Sequence, residues 1–75
     1  MDIRLEVLRI NGVWTLTTSG PEVTPFGSEP EAVHAAIEAA RRYHNQSGGE
    51  ATVHVWHGAQ ETTIFDTSED QQRGR

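Results

Sequence analysis

The chain has 75 residues, no cysteine and a formal net charge of −5 at pH 7. That length holds one core and not two, and so short a domain buries only about 60% of the surface its unfolded chain exposes. With no disulfide or thiolate metal site to reinforce it, stability must come from good packing or from a core shared with a second copy.

The acidic balance weighs against a nucleic-acid partner. All six basic residues are arginine, a bias of genome composition rather than of function. No apolar run approaches the roughly 20 residues of a membrane helix. The opening "MDIRLEVLRI" alternates charged and apolar residues and lacks the apolar centre of a signal peptide. A cytoplasmic protein with no membrane association is expected.

In chain order, "DIRLEVLRI" reads as a strand with Ile3, Leu5 and Val7 on one face and Leu8 and Ile10 on the other. Asn11-Gly12 is the dipeptide of a type I′ hairpin turn, whose two central residues both need positive φ. "VWTLTTS" follows as a second strand, and "GPEVTPFG" as a loop punctuated by proline and glycine. "SEPE" at 28–31 is a capping box with Pro30 in the first turn, where its missing N–H costs nothing.

The spacing predicts a helix from Glu29 to about His44. Val33, Ala36, Ile37, Ala40, Tyr43 and His44 form its inward stripe, and "SGG" at 47–49 stops it. "EATVHVWH" alternates as a third strand, Gly58-Ala59 fits a type II′ turn, and "ETTIFD" is a fourth strand. The polar residues 67–75 are expected to be a disordered tail.

Residues 1–66 are therefore expected to form one ββαββ domain, an α+β two-layer sandwich of one helix on a four-stranded antiparallel sheet. The predicted strands are ordered 2-1-3-4, because the first and third carry apolar residues on both faces.

Gly12, Trp14 and Leu16, then Phe26, then Glu31-Ala32 with Ala35 and Ala36, then Val53, His54, Val55 and Gly58 form a pattern over about residues 3 to 66. In it the chain resembles a family of small bacterial proteins catalogued as domain of unknown function 2188. The resemblance implies a fold and no activity. Family members often carry lysines around the helix and last strand, where this chain has none.

No catalytic constellation is legible. His54 and His57 are three apart on a strand and point to opposite faces. His34 and His44 stand about 80° apart around the helix and nearly three turns apart in height. Ser19, Ser28, Ser47 and Ser68 fall in turns, caps or the tail. Gly48-Gly49 precedes a strand rather than a helix and is no phosphate loop. Arg41 and Arg42 fit a solvated helix end. No enzyme activity, metal or cofactor is expected.

The turn fixes the faces. A two-residue turn pairs Ile10 with Val13, Arg9 with Trp14, Leu8 with Thr15 and Val7 with Leu16. Ile3, Leu5, Val7, Trp14 and Leu16 then lie under the helix. The second hairpin pairs His57 with Gln60, Val55 with Thr62 and Val53 with Ile64, which sends His54, Trp56, Thr63 and Phe65 outward.

One helix cannot cover both faces of a sheet. Leu8, Ile10, Val13, His54, Trp56 and Phe65 are therefore the candidate interaction face. Two uses compete. One is a non-catalytic protein-interaction module, most simply a homodimer packed face on face. The other is a single-stranded nucleic-acid-binding domain that stacks bases on the outward aromatics.

Overall fold

The structure is a computed structural model describing residues 2–18 and 23–68. Five strands and one helix follow in the order β1 (Ile3–Ile10), β2 (Val13–Thr17), β3 (Val23–Phe26), α1 (Glu29–Ser47), β4 (Ala51–His57) and β5 (Gln60–Asp66). The strands form one mixed sheet ordered β3-β2-β1-β4-β5. The α+β class and the placement of the two hairpins around a central pair agree with expectation. The four-stranded, wholly antiparallel sheet does not.

The difference traces to β3. Residues 23–26 pair antiparallel with β2, in the register Trp14↔Phe26, Thr15↔Pro25, Leu16↔Thr24 and Thr17↔Val23. Pro25 is tolerated because β3 is an edge strand, where its missing N–H breaks no central ladder. This extra crossing reverses the end of the sheet from which α1 departs. β4 therefore runs parallel to β1, in the register Leu5↔Val53 and Val7↔Val55, not antiparallel to it.

The first hairpin has the predicted register from Ile10↔Val13 to Val7↔Leu16. Asn11 and Gly12 adopt φ of 53° and 80°, as a type I′ turn demands. In the second, Gly58 alone takes positive φ, at 65°, the pattern of a type II′ turn. β4 and β5 pair from His57↔Gln60 through His54↔Thr63. A bulge then shifts the register, so that Val53 meets Phe65 instead of Ile64.

α1 begins as the capping residues dictate. The Ser28 hydroxyl accepts from the Glu31 amide. The Glu31 carboxylate takes the Ser28 hydroxyl rather than reaching the Ser28 amide. The helix runs one turn beyond the predicted end, to Ser47, where Gly48 at φ 77° donates its N–H to the His44 carbonyl. The His44 ring closes this end, with Nδ1 2.7 Å from the Gly49 carbonyl oxygen.

The helix meets the sheet through Ala32, Ala36 and Ala40, all fully buried, one helical turn apart. Val33, Ile37 and Tyr43 flank this line and are only partly buried. The seam is thus rotated from the predicted stripe. Alanines at the contact let the helix lie close on Leu5, Val7, Val53 and Val55. The core is thin as a result, with four alanines among the nine buried apolar residues of the described chain.

Beyond β5, Thr67 is buried. Its hydroxyl accepts from the Ala51 amide at 2.9 Å and donates to Glu50 at 2.6 Å. Thr67 and Ser68 thus belong to the folded domain, and the rest of the expected tail, 69–75, lies outside the described residues. Among the described residues no helix is long and apolar enough to cross a membrane.

Two outcomes follow for stability. Ala36→Leu should cost about 1–3 kcal/mol in urea unfolding, because the extra methylenes have no space between helix and sheet. A neutral result would place the seam elsewhere. Gly12→Val should destabilise strongly while Val13→Thr has little effect, since a β-branched residue resists positive φ. Equal effects of the two would remove the type I′ turn.

Candidate interaction face

Strand alternation sends one set of side chains under α1 and leaves the other set uncovered by any of the described residues. On the uncovered face β1 contributes Arg4, Glu6, Leu8 and Ile10, and β2 contributes Val13, Thr15 and Thr17. Thr52, His54 and Trp56 come from β4, with Glu61 and Thr63 opposite them on β5. The structure therefore brings together five of the six predicted face residues: Leu8, Ile10, Val13, His54 and Trp56.

Phe65 is the exception. The β5 bulge turns it to the helix side, where it packs on the core under the Arg41 guanidinium, 5.3 Å from the ring centroid. Ile64 is left 39% exposed instead. Ile64 and Phe65 are adjacent apolar residues, and strict alternation can bury only one of them. Nothing in "TTIFD" says where an extra residue enters the ladder.

Sequence reasoning also missed Val23 and Pro25. Both join this face because β3 pairs them with Thr17 and Thr15. Their alternation with Thr24 and Phe26 was the available signal, masked by the proline and the short length.

The face divides in two. Toward the hairpin tips and β3 it is apolar, with Ile10 42%, Val13 43% and Val23 57% exposed. Leu8 and Trp56 are half-buried beside them. Thr15 lies within this half, nearly buried, its hydroxyl turned onto the Val13 carbonyl at 3.0 Å. Leu8 and Trp56 also line a cleft of about 530 Å³ between the two turns, which Trp14 and His57 enter from the helix side.

Toward the opposite end of β1 the face is charged. Arg4 pairs with both Glu6, at 2.7 Å, and Glu61 across the sheet. His54 sits among them with 7% of its surface exposed, although α1 lies on the other side of the sheet. Thr52 and Thr63 hydroxyls lie 2.9 Å from its Nε2 and Nδ1, and the Glu61 carboxylate lies 3.6 Å from Nδ1. Burial holds the imidazole below its usual value near 6.5, and the Arg4 guanidinium acts the same way. Together they outweigh the opposing carboxylates of Glu6 and Asp66.

The remaining histidines stand apart from this cluster. His57 lies on the helix side, 2.9 Å from Glu29 and edge-on to Trp14. His34 is on the exposed surface of α1 near Glu38. Among the described residues no three His, Asp or Glu side chains gather in a metal-holding arrangement.

No family model matches the chain, and no curated protein or solved structure matches it.

The depressed His54 pKa has a definite sign. The unfolded chain takes up a proton near pH 6.5 and the folded chain only below that, so folding loses stability as pH falls through 6.5 and the loss is absent above it. The unfolding free energy of the wild type should therefore fall relative to His54→Gln between pH 7.5 and 5.5. Parallel curves for the two proteins would contradict the depressed value.

Proposed function

We propose that this domain is a non-catalytic interaction module that forms a homodimer through the uncovered face of its sheet. The observation that carries this is the segregation of that face, with Leu8, Ile10, Val13 and Trp56 gathered toward the hairpin tips, Arg4 and Glu6 at the other end, and Glu61, across from Trp56, turned to pair with Arg4. A two-fold axis lying in the plane of the interface, across the strands at the apolar end, lays each apolar patch on its twin. The same rotation carries the two acidic ends outward, away from each other and into water.

The edges of the sheet favour this route. β3 is four residues long and contains Pro25, and β5 is bulged, so neither edge offers a long regular ladder for another strand. The thin core points the same way, since shared burial adds stability that three large fully buried side chains, Leu5, Val7 and Val53, supply only in part.

Charge weighs against the nucleic-acid alternative. Arg4 is the one basic residue that the described strands place on this face, and both Glu6 and Glu61 hold it. A stacking platform needs a basic groove beside its aromatics. With Phe65 turned inward, the rings that the central and β5 strands leave on this side are Trp56 and the nearly buried His54. Apart from Glu31 at the helix cap and His54 on the open face, the residues of the pattern resembling domain of unknown function 2188 are turn and core residues here, so membership in that family, which we also propose, bears chiefly on fold.

Light scattering over a dilution series tests the dimer. The wild type should show twice the mass of one chain, and Trp56→Glu and Ile10→Glu should each show a single mass, with far-UV circular dichroism confirming that they fold. Ile10 is 42% exposed, so its substitution leaves the core of one chain untouched. A wild type monomeric at the highest concentration, or a dimer unaffected by both substitutions, would rule this interface out.

A further inference from the structure

We propose that association through this face is gated by one proton per chain, carried by His54: the neutral ring permits a second copy to dock and the imidazolium opposes it. This rests on the homodimer proposed above.

The placement of His54 is the first argument. It lies where the apolar and charged halves of the face meet, on the same strand face as Trp56 and two residues from it. A second copy seated on Trp56 therefore takes water away from the surroundings of His54. The ring is already nearly buried in a single chain.

The hydrogen bonds are the second. Both ring nitrogens face threonine hydroxyls, Thr52 at Nε2 and Thr63 at Nδ1, each 2.9 Å away. A hydroxyl can donate to a bare nitrogen or accept from a protonated one. The ring can thus gain or lose its proton without losing a partner or swinging out of the sheet. What changes is charge alone.

The charges facing the ring decide the direction. From β1 come Arg4 and Glu6, and from β5 come Glu61 and Asp66. Glu61 is already held by Arg4, so an imidazolium at 3.6 Å must share that carboxylate with a guanidinium. Even in one chain, burial and Arg4 outweigh the carboxylates and favour the neutral ring. Further dehydration by a partner strengthens the burial effect, which penalises the charged form. Repulsion between the acidic ends of the two copies acts oppositely, but it runs through water and is screened beyond about 8 Å at 0.15 M salt. Association should therefore expel protons, and acid should dissociate the dimer.

Sedimentation velocity at 0.15 M salt, at several pH values from 7.5 to 5.5, tests this on the full chain and on His54→Gln. The glutamine keeps hydrogen-bonding capacity toward both threonines and cannot titrate. Two chains each releasing up to one proton should raise the wild-type Kd by about tenfold or more over this range, with H54Q changing less than about twofold. Circular dichroism at each pH establishes that the chains remain folded. A wild-type Kd independent of pH, or equal shifts in both proteins, would overturn the proton gate while leaving the dimer standing. A wild type monomeric at pH 7.5 would overturn the dimer itself, and the gate with it.

Discussion

The parallel ladder between β1 and β4 is the constraint on which the domain is built, because its two sides do different work. Its inward rungs, Leu5 with Val53 and Val7 with Val55, form the floor on which α1 rests. Its outward side pairs Glu6 with His54 and sets Leu8 near Trp56. A parallel pair needs a crossover, and α1 with its alanine seam is that crossover, lying close enough to seal one face and leave the other open. The core and the candidate site are therefore two sides of one pairing, and a slip of one residue would exchange them.

Where the sequence carries strong local chemistry, the fold is legible in it. Asn11-Gly12 sets the first hairpin to the residue, and Ser28, Pro30 and Gly48 mark the helix close to its ends. Most of the face follows from that register by alternation alone. Two features escaped because their signals are non-local. β3 looks like a loop, with proline at 25 and a single large apolar side chain turned inward, and its pairing depends on the neighbouring β2 rather than on its own propensity. Since each strand reverses the chain, missing one strand inverted the direction of β4. The β5 bulge escaped for a similar reason, as an inserted residue leaves no mark in composition, and it moved Phe65 from one face to the other.

The correction at Phe65 sharpens the chemistry of the open face. With that ring beneath Arg41, the exposed surface has an aliphatic end with one indole and a separate charged end, in place of a row of aromatics. Such a surface suits burial against a like surface better than stacking of bases. The charged end is internally compensated through Arg4, which leaves its polar groups partnered before any second molecule arrives. His54 is the member of that network whose charge can change near neutral pH.

The central claim is that a second copy of this chain covers the face bearing Trp56. Isotope-filtered nuclear Overhauser measurements on an equimolar mixture of labelled and unlabelled protein at pH 7.5 test it directly, since they detect only contacts between copies. The account predicts cross-peaks linking Trp56, Leu8, Ile10 and Val13 of one copy to the same residues of the other. Cross-peaks arising from the exposed surface of α1, or none at concentrations well above micromolar, would contradict it.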